Sequence, residues 1–259
     1  LLKNVRSLAT QNSMPSAVLS FHPHPATILA RGHAPALIES VEMRAARLAH
    51  HGIDNLIIQP FDREFSRTSA VDFVTHILVN KLNVRHIVVG ENFLFGQGQQ
   101  GDTELLQSLG EKYCFAVHVV SAFHLKGSRV SSSRIRRLIQ NGRLSEATEL
   151  LGRPYQISGS VGKGEARGTE LGFPTANLAS DSELLPGAGV YSAWAHLEQG
   201  PHPAVVNIGY APTFGDVGLR VEAHLLDHNT HDLYGKTITL CFVDKIRNEK
   251  RFGSIDALK

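Results

Sequence analysis

The sequence predicts an α/β protein of two domains: an N-terminal domain on an open parallel sheet, then a small antiparallel β domain, barrel or sandwich. Three observations predict it. Up to about residue 150, short continuous apolar runs alternate with segments of helical periodicity, the pattern of βαβ units whose strands are covered on both faces. From Tyr155 onward the texture changes to short β-branched or aromatic runs punctuated by Gly, Pro, Asn and Asp. A chain of 259 residues, at roughly 150 per domain, has room for two.

The chain opens in an amphipathic pattern from Leu1 to Ala9. Candidate strands of the first half are Ala17 to Phe21, Asn55 to Gln59, His86 to Gly90 and Phe115 to Val120. Helical spacing marks Ser40 to His50, Ala70 to Leu82 and Asp102 to Glu111; Ser69 with Asp72 forms a capping box for the second, and Asp102 caps the third. Two further helices, Ser132 to Asn141 stopped by Gly142 and Ser145 to Leu151 stopped by Gly152, close this half. Gly152-Arg153-Pro154 then divides residues 1–152 from 153–259. Beyond it, strands are expected at Gln156 to Val161, Val190 to His196, Ala204 to Ile208, Val221 to Leu226 and Thr237 to Val243. Ligands of open parallel sheets gather at the carboxyl ends of the strands, which directs attention to the loops after each strand of the first half.

Composition narrows the function classes. With 42% hydrophobic and 19% charged residues the chain is folded rather than disordered. Lys plus Arg at 26 against Asp plus Glu at 24 leaves a net charge of +2, so no global field marks a nucleic-acid or membrane binder, and any basic function is local. Cys114 and Cys241 both lie in apolar stretches and read as small buried hydrophobes in a reducing compartment. No apolar run approaches the roughly 18 residues of a membrane span, and no signal segment opens the chain, so a cytoplasmic location is expected. Residue 1 is Leu rather than Met, and further native sequence is expected upstream.

Several motifs carry chemistry. In Phe21-His22-Pro23-His24-Pro25 two prolines force the chain out of the first sheet strand, so the histidines are presented at its carboxyl edge; a rigid strand exit explains the segment equally well. His86 to Gly98 runs from a buried strand into a glycine-rich loop where Asn92, Phe93 and Phe95 can hydrogen-bond and stack on a base or flavin, though an ordinary crossover loop has the same texture. Arg129-Val-Ser-Ser-Ser-Arg-Ile-Arg136 is stronger, because three hydroxyls lie across a helix start with three arginines around them, the composition of a triphosphate cradle. Gly162-Lys163-Gly164 fails as a P-loop, since Gly164 stands where Ser or Thr must bind the metal. That stretch reads instead as a glycine flap ending in Pro174-Thr175-Ala176-Asn177, whose Thr and Asn, two apart on an extended segment, can turn both oxygens to one hard cation. Glu222 projects opposite to Val221, Ala223 and Leu225; it reads as a surface carboxylate or as a base facing a pocket.

Together these motifs resemble one family, the prokaryotic bifunctional riboflavin kinase/FMN adenylyltransferase, or FAD synthetase. The resemblance is carried by Phe21-x-Pro-His-Pro, Val89-Gly-Glu-Asn-Phe-x-Phe-Gly96, Val130-Ser-Ser-Ser-x-Ile-Arg136, Leu151-Gly-Arg-Pro-Tyr155, Arg167-Gly-x-x-Leu-Gly-Phe-Pro-Thr-Ala-Asn177, Gly189-Val-Tyr191, Asn207-Ile-Gly-x-x-Pro-Thr-Phe214, Val221-Glu-x-His-Leu-Leu226 and Asp232-Leu-Tyr-Gly235, in the family's order along nearly the whole chain. It implies a Rossmann-like nucleotidyltransferase domain that moves AMP from ATP onto FMN, and a β-barrel kinase that phosphorylates riboflavin. Arg129, Ser132, Ser133 and Arg136 would hold ATP phosphates, Ser133 standing where the family usually has Thr; Asn92 would contact the nucleotide, and Phe95 and His24 the flavin. In the kinase half, Gly164, Gly168 and Gly172 would line the ATP site, Phe173 the flavin, Thr175 and Asn177 would bind Mg²⁺, and Glu222 would be the base for the flavin 5′-hydroxyl. The family's Gly-x-Phe-Asp-Gly-x-His-x-Gly-His motif, whose histidines stabilise the α-phosphate, ends just before the position of Leu1, so the first domain is expected to lack that N-terminal segment here.

The partners this implies are small molecules, riboflavin, FMN and ATP, with no nucleic acid and no membrane; a homo-oligomer is left open. Two other readings stand beside it. A non-catalytic flavin or nucleotide carrier would need neither a metal pair nor a base, and a kinase with a degenerate first domain would keep only the second activity. An RNA-binding module on the cluster from Arg129 to Arg137 fits poorly with a net charge of +2.

Overall fold

The computed structural model describes residues 1–29, 34–162, 174–210, 219–226 and 233–249. The chain packs as two units, one of residues 1–35 and 41–129, the other of residues 36–40 and 130–259.

The first unit begins with α1 (Leu2–Gln11), then β1 (Ala17–His22), the short α2 (Pro25–Leu29), α3 (Val41–His50) and β2 (Asn55–Pro60). α4 (Ala70–Asp72) widens into a π-helical stretch over Phe73–Lys81, followed by β3 (His86–Gly90), α5 (Thr103–Tyr113), β4 (Ala116–Val120) and a hairpin of β5 (His124–Leu125) and β6 (Ser128–Arg129). The expected caps are present: Ser69 Oγ accepts from the Asp72 amide at 3.0 Å and Asp102 Oδ1 from the Leu105 amide at 2.8 Å. Parallel pairing follows the expected crossovers, β1 with β2 from Ala17↔Asn55 to His22↔Pro60 and β3 with β4 from His86↔Ala116 to Gly90↔Val120. The single open sheet expected from the sequence is thus seen, among the described residues, as two parallel pairs, each closed by its own helical crossover. One side of the core collects Phe73, Val74, Ile77 and Leu78 against Val89, Leu106, Leu109 and Phe115.

Cys114 departs from expectation. It ends α5 in the left-handed conformation, φ 61°, and is exposed, because the chain must reverse there before β4 begins two residues later. Cys241 is buried as expected.

In the second unit, α6 (Ser132–Gln140) and α7 (Leu144–Leu151) precede β7 (Gln156–Gly162), β8 (Ala176–Ser180), β9 (Gly189–Leu197), β10 (Gly200–Tyr210), β11 (Leu219–Leu225) and β12 (Thr237–Arg247). The strands close an antiparallel barrel in the order β10-β11-β8-β7-β12-β9. β8 is the strand that its sequence concealed, since Ala176-Asn-Leu-Ala-Ser reads as the end of a glycine flap. Alternation fills the barrel with Ile157, Val206, Ile208, Leu240 and Phe242, all fully buried, and Ile135, Leu138, Ile139, Leu144 and Ala147 of α6 and α7 belong to the same core. The two helices that the sequence attaches to the first half therefore pack with the barrel. Truncating a side chain such as Phe242 to Ala here would cost about 3–5 kcal/mol.

Segment 36–40 packs with this unit as well, through Arg136 Nε donating to the Ala36 carbonyl at 2.6 Å, the Leu37 amide to Glu183 at 2.9 Å and Arg153 to Glu39 at 3.0 Å. Two buried phenols donate to backbone carbonyls, Tyr155 to Leu184 at 2.6 Å and Tyr191 to Gly187. Burial pushes both phenols up, that of Tyr191 to about 12. Among the described residues no helix is long and apolar enough to cross a membrane.

Candidate functional site

In the first unit the expected residues stand at the carboxyl ends of the strands. β1 ends at His22, and His24 follows at the entry to α2, where its Nδ1 accepts from the Ala26 amide at 3.1 Å. That bond places the ring proton on Nε2 and fixes how His24 is presented. Asn92 stands two residues after β3. With its amide oxygen turned to Arg129, it accepts from both terminal guanidinium nitrogens, Nη1 at 2.6 Å. Arg129 itself comes from the β5/β6 hairpin, whose two turn residues Lys126 and Gly127 have φ of 51° and 72°, the geometry of a tight primed turn. Two predicted ligands far apart in sequence therefore form one hydrogen-bonded pair, with the remaining guanidinium donors unspent.

The structure places Phe95 inside an aromatic cluster: it is 7% exposed, stacked on Phe93 at 5.3 Å and close to Phe73 at 5.9 Å. The half-buried Phe93 is the aromatic at the edge of this cluster. The turn after Phe95 requires glycine: Gly96 has φ 74°, and a Cβ there would stand 2.6 Å from the Ala70 backbone at the start of α4.

Packing divides the expected phosphate cradle between Arg129 and Val130. On the α6 side, Ser131 is the cap, its Oγ accepting from the Arg134 amide at 3.3 Å, which leaves the exposed hydroxyls of Ser132 and Ser133 in the first helical turn where amides are unpaired. Arg136 spends its Nε on Ala36, and burial, opposed by Glu183, pulls its guanidinium below the ordinary value. Arg134, one of the three arginines that the sequence sets around the cradle, has its Nη1 buried without a hydrogen-bond partner among the described residues. No local pattern announces that burial, because it comes from packing.

The barrel brings the kinase residues together. Asn177 of β8 lies directly opposite Glu222 of β11, and Glu222 directly opposite Asn207 of β10. Their flanking residues Ala176, Leu178, Val221, Ala223, Val206 and Ile208 point into the core, so the three polar side chains share the other face, half-buried. Directly opposed Cβ atoms in such pairs are about 4.5–5.5 Å apart, within reach for amide and carboxylate. Across the next pair Asn177 faces Gly162, which offers no side chain. His224 Nδ1 meets the Pro174 carbonyl at 2.9 Å and so ties Pro174-Thr175 to β11. Gly164, Gly168, Gly172 and Phe173 lie outside the described residues.

The donor set suits Mg²⁺. Thr175 and Asn177 offer neutral oxygens, and no group of three or more His, Cys, Asp or Glu that could cage a metal occurs among the described residues. Such a site leaves most coordination positions to water and substrate phosphate, which is how Mg²⁺ is usually held beside nucleotides.

Comparison with known proteins finds two family models along the chain. The family model described as FAD synthetase matches residues 1–134, and the one described as riboflavin kinase matches residues 151–259. Over its whole length the chain is 37% identical to the bifunctional riboflavin kinase/FMN adenylyltransferase of Escherichia coli K12 and 36% identical to that of Pseudomonas fluorescens, covering 83% of each. Among solved structures, one titled macrolide-efflux protein from Streptococcus pneumoniae matches 99% of the chain and 84% of its own with a TM-score of 0.90 and 28% identity.

Proposed function

We propose a division of labour among this chain's residues from one premise: the chain belongs to the family of bifunctional riboflavin kinases/FMN adenylyltransferases, and it has both activities. Its substrates are riboflavin, FMN and ATP. In the kinase reaction the 5′-oxygen of riboflavin attacks the γ-phosphorus of ATP, ADP leaves, and the hydroxyl proton goes to the Glu222 carboxylate, giving FMN. In the adenylyltransferase reaction a phosphate oxygen of FMN attacks the α-phosphorus of a second ATP, pyrophosphate leaves, and FAD forms. We assign the kinase to residues 153–259 and the adenylyl transfer to 1–152.

The observation that carries the kinase assignment is the register that sets Asn177 beside Glu222, a metal-type oxygen next to a carboxylate base on one half-buried face. Mg²⁺ held by Thr175 and Asn177 would neutralise phosphate charge as the phosphoryl group moves. Glu222 removes the proton, and the barrel keeps both strands in place. In the other half, Asn92 orients Arg129, and His24 serves the flavin with Phe93 rather than Phe95 as the aromatic neighbour; the sequence motif supports phosphate binding by Ser132, Ser133 and Arg136. The three glycines of the flap and Phe173 complete the ATP and flavin contacts of the kinase. A shared need for ATP supports a cytoplasmic location.

Supplying riboflavin, ATP and Mg²⁺ and separating the flavins by chromatography tests the assignment. Glu222→Gln should lower kinase turnover by about 10² to 10⁴ with riboflavin binding retained, and Asn177→Ala by on the order of a hundredfold together with a raised Mg²⁺ requirement. Normal turnover in both variants would move the kinase site off this face. Flavin binding without any conversion would leave a carrier.

A further inference from the structure

Asn207 is an anomaly in its strand. β10 runs Ala204-Val-Val-Asn-Ile, with Val206 and Ile208 fully buried, and asparagine is among the residues that strands avoid. Its side chain is half-buried and makes no hydrogen bond to another described residue. A strand that needed only packing or solubility would carry Val or Thr there. Its two in-register neighbours are Val190 on β9, 9% exposed and apolar, and Glu222 on β11. The carboxylate is therefore the polar group directly across from the amide. On its far side Glu222 faces Asn177, whose carbonyl oxygen the kinase reading gives to the cation, which leaves Asn207 as the amide on the other flank with no second role.

We propose that Asn207 is a positioning residue of the kinase site: without a hydrogen bond to another described residue and directly opposite Glu222, its amide turns to donate to one oxygen of the carboxylate when substrate is bound, leaving the other aimed at the riboflavin 5′-hydroxyl. The inference rests on Glu222 being the base. A carboxylate on a flexible side chain samples many directions, and one fixed donor removes most of them. Asn suits the task because its short side chain reaches across a strand pair without competing for the substrate hydroxyl, and because an amide, unlike Lys or Arg, leaves the charge near the phosphates unchanged.

Asn207→Val and Asn207→Thr test it as a pair, since they share a shape and differ in one hydroxyl donor. The Val variant should lose about tenfold in kcat with riboflavin KM within about twofold. The Thr variant should recover most of the lost rate, with thermal melting of the two matched. In a Glu222→Gln background, Asn207→Val should cost less than about twofold more, since the pair acts as a unit. Equal rates for Val and Thr, or the full tenfold loss persisting without Glu222, would each overturn the proposal. A wild-type rate for Glu222→Gln would remove the base and this inference with it, whereas a crippled Glu222→Gln beside a fully active Asn207→Val would remove the inference alone.

Discussion

Replacing Gly159 by Ala should push β8 away from β7 and draw Asn177 out of line with Glu222. Gly159 lies in β7 opposite Ser180, and a Cβ built on it would stand 2.4 Å from the Ala179 carbonyl oxygen and 2.8 Å from the Ser180 Cα. Both are backbone atoms of β8, so no side-chain rotation can relieve the clash. Ordinary contact begins at 3.4 Å, which requires the carbonyl to retreat by 3.4 − 2.4 = 1.0 Å. Asn177 is two residues away on the same strand, while Glu222 is held from its other side by β10, so part of that shift appears between the two. Overpacking of this kind costs about 1–3 kcal/mol, equivalent to a fall of roughly 4–12 °C in the melting of the barrel. A misplacement of about 1 Å costs on the order of 10²-fold in rate, so a partial one should lower kinase kcat about tenfold at temperatures where the variant is folded. The assay is riboflavin-to-FMN conversion at 20 °C beside a thermal melt, with FMN-to-FAD conversion as the control that should not move. A Gly159→Ala protein with melting within about 1 °C of the parent and an unchanged kinase rate would refute the close β7–β8 approach, and with it the alignment drawn from it.

Two further outcomes follow from the hydrogen bonding. Asn92→Ala releases Arg129 from its anchor, so the KM for ATP in FMN adenylylation should rise about tenfold or more with the fold unchanged by circular dichroism; an unmoved KM would mean that the hairpin alone orients Arg129. Tyr191 keeps its proton to about 12 when folded and loses it near 10.0 when unfolded, so the stability it lends is whole below pH 10 and is lost as the pH climbs through 12. Tyr191→Phe should therefore flatten the alkaline fall in Tm between those values, and an unaltered slope would place that ionisation elsewhere.

What the sequence determined by itself was everything written in local chemistry. Period-two and period-3.6 patterns located most strands and most helices, Ser69 and Asp102 marked helix starts by side chains that bond an amide three residues on, and Gly152 marked a left-handed stop at φ 70°. Motifs spread along the chain identified the family, and Thr175, Asn177 and Glu222 were named before any contact was known.

Tertiary structure decided what depends on partners distant in sequence. Phe95 looked like a stacking platform because aromatic beside glycine has that texture, but Phe73, brought in from 22 positions upstream, closes over it. The apolar run around Cys114 made its thiol look buried, yet the helix before it had to end in a left-handed turn that faces the thiol outward. α6 and α7 are amphipathic in either unit, and only packing shows that their apolar stripe completes the barrel core. The row Asn177, Glu222, Asn207 is a matter of register, which hydrogen-bonded pairing across three strands settles and no single strand encodes: a slip of one residue would turn Glu222 into the core.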